Sequence, residues 1–259
     1  HDDESLLCYD LALAKIIWRA RLGDIESSPL LLDGHLYVTA VSGGLFCIEK
    51  ERGEINWKFE IPSTGHRPLI HSSPATDGKI IVFGSDDGNL YGVDIATGKL
   101  RWKASTGGSI LASPSIDSGT VLVGSLDNSF SAFNLETGSL LWKRTLGGKI
   151  YGSQAVNEDY VYVGTAARTM HCLNKRTGST VWEFTANGVI NVAPVISGNI
   201  LYVVCVGQTV YALNALTGEE IWRYKTEGRI KCMPLIWHTY VFVFAEDRSV
   251  LAFTPGTAP

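Results

Sequence analysis

Residues 110–142 read ILASPSIDSGTVLVGSLDNSFSAFNLETGSLLW and contain four short apolar runs separated by three turn signals. The turn signals are Asp117-Ser118-Gly119, Asp127-Asn128 and Thr137-Gly138. Runs of this length, rich in Val, Leu, Ile and Phe and bounded by Gly, Asp, Asn and Ser, are typical of β-strands. A unit of about forty residues that recurs along a chain indicates a propeller or a solenoid.

The unit does recur, because tryptophans follow one another at intervals of 39, 45, 40, 40 and 40 residues. These residues are Trp18, Trp57, Trp102, Trp142, Trp182 and Trp222. Each repeat opens with a short segment, and the six segments read IESSP, IHSSP, ILASP, IYGSQ, INVAP and IKCMP. We name the four strands of a repeat A (Ser-Pro), B, C (ending in Asp or Asn) and D (carrying Trp). No window has a sustained helical period, so we predict an all-β fold.

The repeat predicts four-stranded antiparallel blades of a β-propeller. The sequence contains six A, six B, seven C and six D strands, so it has six complete-looking repeats plus a half repeat. A six-bladed ring would use the first D strand to complete the last A–B–C set, whereas a seven-bladed ring leaves one blade without A and B and another without D. We favour seven blades, a single domain over residues 1–259, and a chain that is a segment of a longer protein.

Turn residues predict how the strands are joined. Asp33-Gly34 and Asp77-Gly78 are signals for two-residue hairpins, in which both turn residues have positive φ. The four Thr-Gly pairs, at 97–98, 137–138, 177–178 and 217–218, predict the same kind of hairpin between strands C and D.

One position in strand C is always small. It lies two residues before the final Asp or Asn and is occupied by Cys8, Cys47, Gly92, Ala132, Cys172, Ala212 and Ala252. We interpret it as a crowded place against which a tryptophan packs, and we assign the six recurring tryptophans a structural role. Three of the five cysteines occupy this position, where a small buried hydrophobic residue is the expected role rather than a metal or redox site.

Composition excludes several classes of partner. The net charge is −4 with no basic patch, so we expect no nucleic acid. The apolar runs are strand-length, well short of the ~20 residues that a membrane helix needs, so we expect no membrane span. The cysteines show no C-x-x-C spacing and no leader is visible, which favours reduced thiols and a cytoplasmic location.

The small-x-Asp/Asn-x-x-Thr-Gly-x-x-x-Trp pattern, clearest at residues 92–102, 132–142, 172–182 and 212–222, resembles the PQQ-like β-propeller repeat family. The resemblance covers nearly the whole chain and implies four-stranded blades with each Trp docked between neighbours. Residues 22–29, LGDIESSP, are also similar to the C-terminal propeller of β-alanine-activating, acyl-CoA-synthetase-like proteins. The fold serves quinone-cofactor dehydrogenases, outer-membrane assembly lipoproteins and accessory domains, so it does not fix function.

We expect this chain to be a binding or scaffolding module, an accessory domain of a larger and acyl-activating enzyme, with no catalytic residues, cofactor or metal of its own. One alternative is a PQQ-dependent dehydrogenase, but the chain has no Cys-Cys pair and only short loops. The other alternative is an envelope assembly scaffold that pairs with partner strands at a sheet edge. The expected partner is a protein or another domain of the same polypeptide.

Loops on a rigid scaffold carry function more often than strands do, which points to two candidate surfaces. The first is the loop between Trp57 and Pro74, about five residues longer than its counterparts, where His66 and Arg67 offer hydrogen-bond donors. The second is the residue three before the Ser-Pro proline, predicted at the mouth of a central channel. This series varies in chemistry and runs Glu26, His71, Leu111, Tyr151, Asn191 and Lys231.

Overall fold

The computed structural model describes residues 4–62, 67–238 and 240–254, which form 25 β-strands in seven antiparallel sheets. The first sheet has two strands, β1 (Ser5–Asp10) and β2 (Lys15–Arg21), and the last has three, β23 (Leu235–Trp237), β24 (Tyr240–Phe244) and β25 (Val250–Phe253). Between them are five four-stranded sheets, with bounds β3 (Leu30–Leu32), β4 (His35–Ala40), β5 (Gly44–Glu49), β6 (Ile55–Glu60); β7 (Ala75–Thr76), β8 (Ile80–Gly84), β9 (Asn89–Asp94), β10 (Leu100–Ser105); β11 (Ser115–Asp117), β12 (Thr120–Gly124), β13 (Ser129–Asn134), β14 (Leu140–Thr145); β15 (Ala155–Val156), β16 (Tyr160–Gly164), β17 (Thr169–Asn174), β18 (Thr180–Thr185); and β19 (Val195–Ser197), β20 (Ile200–Cys205), β21 (Thr209–Asn214), β22 (Glu220–Lys225).

Every predicted strand is present and in the predicted order. Within a four-stranded sheet the chain runs A, B, C, D, and each strand pairs with the next one along the sequence. The first sheet consists of a C and a D strand, and the last of an A, a B and a C strand. The first D strand, β2, pairs with β1. It does not pair with a strand of the last sheet, whereas the six-bladed alternative requires it to complete that sheet. Seven sheets agree with seven blades.

The chain divides into two compact units, residues 1–125 with 132–141 and residues 126–131 with 142–259. Within each unit the apolar core lies between successive sheets, because side chains of one sheet interdigitate with those of the next. In the first unit one cluster joins β3–β6 to β7–β10 through Tyr37, Leu45, Cys47, Phe59, Ile81, Phe83 and Tyr91. In the second unit one cluster joins β15–β18 to β19–β22 through Tyr162, Met170, Cys172, Leu201, Val203 and Tyr211.

The two Asp-Gly pairs make different turns. Asp33 (φ 46°) and Gly34 (φ 75°) both have positive φ and connect the paired residues Leu32 and His35, which confirms a two-residue hairpin. At Asp77-Gly78 the prediction is wrong, since only Gly78 has positive φ. There the Asp77 carboxylate accepts the N–H groups of residues 79 and 80, both at 2.9 Å, and closes a longer turn.

The Thr-Gly pairs are not two-residue hairpins either. The Asp94 N–H donates to Lys99 O at 2.8 Å and the Gly98 N–H donates to Asp94 O at 2.9 Å, so the C–D turn spans four residues. The Asp94 side chain caps this turn by accepting the Thr97 N–H. Asn134, Asn174 and Asn214 accept the corresponding N–H in their own turns. The recurring Asp or Asn is therefore a turn-capping residue.

The glycine of the C–D turn makes room for a tryptophan of the preceding sheet. A Cβ atom on Gly218 would lie 2.6 Å from the Trp182 ring, a distance that non-bonded carbon atoms do not reach. The Trp182 indole N–H donates to Ala215 O in the same turn at 3.0 Å. Equivalent hydrogen bonds join Trp18 to Lys50 O, Trp57 to Ile95 O, Trp102 to Leu135 O and Trp142 to Lys175 O. Four of the six recurring tryptophans are buried, and Trp57 and Trp142 are half-buried.

The small C-strand position is as crowded as the sequence predicted. Gly92 lies directly opposite Trp102 in the C–D ladder, and a Cβ atom there would be 2.2 Å from the indole. The same cross-strand pairing holds for Cys8 with Trp18, Cys47 with Trp57, Cys172 with Trp182 and Ala212 with Trp222. The five cysteines are free thiols in the structure.

One buried histidine is titratable. The His171 side chain in β17 is 4% exposed, and its Nδ1 lies 3.0 Å from Glu183 Oε1 on the paired strand β18. Burial disfavours the charged imidazolium and lowers the pKa of His171 below its usual value, although the Glu183 carboxylate opposes this shift. His171 therefore stays neutral in the folded chain at pH values where the same histidine is already protonated in the unfolded chain.

We predict that Gly92→Val lowers the free energy of unfolding by about 1–3 kcal/mol, because the new side chain must displace the Trp102 ring. Ala252→Val is the matched control, since it changes the same repeat position at an exposed site. We expect the control to stay within about 0.5 kcal/mol of the native chain. Urea unfolding measures both, and equal effects at the two sites would contradict the packing assigned to Gly92.

We predict that the native chain loses stability as the pH falls below about 6.5, the usual pKa of histidine, because the unfolded chain binds a proton that folded His171 resists. The loss is at most about 1.4 kcal/mol per pH unit. Urea unfolding at pH 7.5 and at pH 5.5 should show a smaller difference in His171→Gln than in the native chain. An identical pH dependence in the two proteins would contradict a neutral buried His171.

Candidate functional site

A buried isoleucine positions each residue of the variable series. In the described structure Ile70, Ile110, Ile150, Ile190 and Ile230 are at most 2% exposed, and Ile25 is partly buried. The residue that follows each isoleucine carries the variable side chain. Glu26, Tyr151, Asn191 and Lys231 are exposed, and His71 and Leu111 are half-buried. An invariant apolar anchor thus presents a side chain of changing chemistry at the same place in each repeat.

In the first unit, hydrogen bonds from backbone N–H groups to serine hydroxyls hold three of these segments side by side. The Ser28 N–H donates to Ser73 Oγ, and the Ser73 N–H donates to Ser113 Oγ, both at 2.9 Å. This repeating contact brings Glu26 and His71 together, with 2.6 Å between Glu26 Oε2 and His71 Nδ1. The serines of the Ser-Pro motif are therefore links between neighbouring segments.

The second unit presents its three members separately. Lys231 Nζ pairs with the Glu246 carboxylate, and both side chains are largely exposed. Tyr151 and Asn191 present exposed side chains of different hydrogen-bonding capacity. An exposed phenol, amide and amine can all make directional contacts with a polar surface.

The long loop after β6 is anchored at its start. Ile61 is buried and its N–H donates to Gly43 O at 3.1 Å. Arg67 is exposed, and its guanidinium donates to Glu60 Oε1 at 2.7 Å, a carboxylate that Lys58 also contacts. His66 lies outside the described residues. The Arg67 pair is solvent-exposed, so it contributes little to stability and leaves the guanidinium accessible for contact.

A pocket that the sequence analysis missed lies in the second unit. It has a volume of about 200 Å³ and is lined by Tyr224, Thr226, Glu227, Asp247, Ser249 and Leu251. Two carboxylates give it an acidic rim.

No group of three His, Cys, Asp or Glu side chains in residues 4–62, 67–238 and 240–254 is arranged to hold a metal ion. Burial raises the pKa of Cys172 to about 12 and raises the pKa values of Cys47 and Cys205 as well. A thiol with a raised pKa is a poor nucleophile, because the reactive form is the thiolate.

An acidic cluster lies in the hairpin turn between β8 and β9 and stabilises that turn; it consists of Asp86-Asp87-Gly88-Asn89. The Asp87 carboxylate accepts the Tyr91 hydroxyl at 2.6 Å and the Asn89 N–H at 3.0 Å. Asp86 accepts the Leu69 N–H at 2.7 Å. Their carboxylates are engaged in holding the turn and the neighbouring loop.

A family model described as "Outer membrane protein assembly factor BamB" matches residues 1–184 and 172–258. The chain belongs to this family of PQQ-like repeat β-propellers. The predicted fold class and the predicted family are thereby confirmed, with seven sheets built on the family's repeat.

Solved structures show the same propeller fold. BamB from Moraxella catarrhalis superposes with a TM-score of 0.78 at 21% identity, covering 94% of this chain and 78% of that one. The computationally designed Ika8 protein superposes with a TM-score of 0.79 at 16% identity, covering 97% of this chain and 78% of that one. At these identities the likeness concerns the fold alone.

Curated relatives share parts of the propeller. Quinohemoprotein alcohol dehydrogenase ADH-IIG of Pseudomonas putida is 28% identical over 89 residues, which are 32% of this chain and 12% of that protein. Tetrathionate hydrolase of Acidithiobacillus ferrooxidans is 22% identical over 135 residues, which are 41% of this chain and 26% of that protein. The chain matches only a minor part of the length of these relatives. In the described part of the propeller, no helix is long and apolar enough to cross a membrane.

Proposed function

We propose that this chain is a non-catalytic propeller that binds a protein partner, or another domain of the same polypeptide, through the variable residues and the Arg67 loop. The observation that carries the proposal is the contrast between two neighbouring positions in the segment that opens each repeat. The isoleucine is buried in five repeats and partly buried in the first, while the next residue changes among Glu, His, Leu, Tyr, Asn and Lys. A scaffold that keeps its packing residues constant and varies one exposed position is suited to recognition.

We further propose that the propeller is an accessory, cytoplasmic domain of a larger, acyl-activating enzyme. The similarity of residues 22–29 to the propeller of acyl-CoA-synthetase-like proteins supports the type of enzyme. The five free thiols support a reducing compartment. The relatives that share the repeat are much longer than the segments they share with it, so repeats of this kind do occur inside larger proteins.

The similarity to a quinohemoprotein dehydrogenase favours a second candidate, a quinone-dependent oxidoreductase. We rank it lower because the described residues show no group of carboxylates arranged for a metal ion. Pyrroloquinoline quinone with Ca²⁺ should leave the melting temperature unchanged if the binding proposal is right. A saturable rise in melting temperature would favour the enzyme.

The family's description favours a third candidate, a scaffold for outer-membrane assembly. Such a scaffold also binds proteins without catalysing a reaction, so it shares the mechanism proposed here and differs in compartment and partner. A partner from the envelope in the capture experiment below would favour it.

Capture of partners from the source lysate tests the binding surface. We expect a partner of the native chain to be lost from a variant in which Glu26, His71, Tyr151, Asn191 and Lys231 are all alanine. The matched control replaces five exposed D-strand residues by alanine, namely Ile17, Ile55, Leu100, Leu141 and Val181. Both variants should melt within a few degrees of the native chain. If the control loses the same partner, or neither variant does, the variable residues are not the binding surface.

The size of the native polypeptide tests the accessory-domain proposal. An antibody raised against this chain should detect a band much larger than the 28.2 kDa of these 259 residues in the source lysate. A single band near 28 kDa would contradict a larger enzyme, while leaving the binding surface untouched.

A further inference from the structure

Two neighbouring loops of the second unit carry a pair of cations. Lys149 lies in the loop between β14 and β15, and Arg168 lies in the turn between β16 and β17. Both side chains are exposed. Among the described residues, neither side chain forms a salt bridge or a hydrogen bond. The charges of this pair are therefore available to a ligand.

Backbone contacts hold the loop and the turn together. The Lys149 carbonyl accepts the Ala166 N–H at 2.9 Å. Gly148 lies so close to the turn that a Cβ atom on it would be 2.6 Å from the backbone nitrogen of Ala167. The residues that follow this contact, Lys149 and Arg168, thus start from neighbouring and fixed backbone positions. A pair that is positioned in advance loses less conformational entropy when it binds.

The turn itself does not favour an arginine. Arg168 has a φ of 68°, in the left-handed region. The equivalent turn position holds glycine in two repeats of the first unit, Gly43 and Gly88, and asparagine at Asn128. Glycine and asparagine adopt this conformation more readily than a long side chain does. The presence of arginine at this position points to a use for its guanidinium.

The loops around this pair contain no acidic residue. They connect β14 to β15, β16 to β17, β18 to β19 and β20 to β21, and consist of residues 146–154, 165–168, 186–194 and 206–208. Tyr151 and Asn191, two members of the variable series, lie in the same loops and are exposed. Exposed cations without a neighbouring anion attract a negatively charged group.

The last repeat carries a second pair of cations at the same positions. Arg229 and Arg248 are the counterparts of Lys149 and Arg168 in the repeat pattern. The Arg229 carbonyl accepts the Glu246 N–H at 2.9 Å, and Arg248 has a φ of 69°. The second pair therefore starts from the same backbone geometry as the first.

The two pairs differ in the charges around them. The loop and the turn of the second pair contain three acidic residues, Glu227, Glu246 and Asp247, whereas those of the first pair contain none. Carboxylates this close along the chain repel an incoming anion and offset the attraction of the arginines. The first pair is thus the one suited to an anionic ligand, and the second is a natural control for it.

We propose that Lys149 and Arg168 bind an acidic segment of the protein partner, a run of Asp or Glu side chains. The proposal rests on the binding function proposed above and names the chemistry of its partner. The ammonium and the guanidinium donate hydrogen bonds to the carboxylates of the segment. The Tyr151 hydroxyl and the Asn191 amide, on the same loops, have donors for its backbone carbonyls.

A labelled hexaglutamate peptide is the probe for this site, and labelled hexaglutamine is its uncharged control. We expect hexaglutamate to bind the native chain saturably in a fluorescence-anisotropy titration at low ionic strength, and hexaglutamine not to bind. Added sodium chloride should weaken binding, because exposed charges are screened by salt. Absence of saturable hexaglutamate binding, or equal binding of the two peptides, would overturn the proposal.

Two double variants of the chain locate the peptide. Lys149→Gln with Arg168→Gln should weaken binding about tenfold, since two exposed ionic contacts are lost. Glutamine suits the turn, because Gln208 occupies the same turn position in the next repeat with a φ of 61°. Arg229→Gln with Arg248→Gln removes the same charge and should change the affinity by less than about twofold. Equal weakening by the two variants would mean general charge attraction and would overturn the site.

Sodium phosphate separates a carboxylate segment from a free phosphate as the ligand. At equal ionic strength we expect phosphate to displace hexaglutamate no better than sodium chloride does. Stronger displacement by phosphate would mean that the cation pair binds a phosphate group, and would overturn the acidic segment.

The capture experiment distinguishes failure of this proposal from failure of the proposed function. The variant Lys149→Gln with Arg168→Gln should capture less of the partner than the variant Arg229→Gln with Arg248→Gln. If both retain the partner equally while the five-alanine variant loses it, the binding function stands and the acidic segment is wrong. Melting temperatures within a few degrees of the native chain show that both double variants are folded.

Discussion

The structure depends on one recurring contact, the docking of a tryptophan indole on the C–D turn of the following sheet. The indole N–H donates to a turn carbonyl, and the ring lies against the turn glycine, as with Trp182 on Ala215 and Gly218. The contact buries a large apolar surface and also satisfies a buried polar group. A side chain at the glycine would separate the two sheets, so glycine and tryptophan recur together although they belong to different blades.

The same indole also constrains its own sheet. It lies over the small residue directly opposite on strand C, which leaves room for Gly, Ala or Cys and nothing larger. A β-bulge accompanies this pair, since the ladder shifts register at Trp102 and equally beside Cys47, Cys172 and Ala212. Cys47 and Cys172 are explained by volume and burial, and their raised pKa values follow from that burial.

Repetition made the fold predictable from the sequence, because six copies of one pattern average out local ambiguity. The strand order and the crowded position opposite Trp were both readable from the sequence. The Thr-Gly turns were misassigned because a dipeptide does not reveal that a tryptophan of another sheet needs the glycine. The pairing of Glu26 with His71 could not be read from spacing, since these residues are 45 apart and meet only when neighbouring segments are aligned. Lys103 and Lys143, the residues after Trp102 and Trp142, pair with Asp87 and Asp127, and the strand pattern alone does not reveal these contacts between strands.

The tryptophan contacts also have a direction, and this bears on how the chain folds as it is made. Five of the indoles bind a carbonyl that lies 32 to 38 residues later in the sequence, and none of these five binds an earlier one. A sheet leaving the ribosome therefore cannot lock until most of the next repeat has followed it. At about 5–20 residues per second this delay is roughly 2–7 s per sheet. Blades should become fixed one at a time from the N-terminal side, with the newest sheet always the least protected.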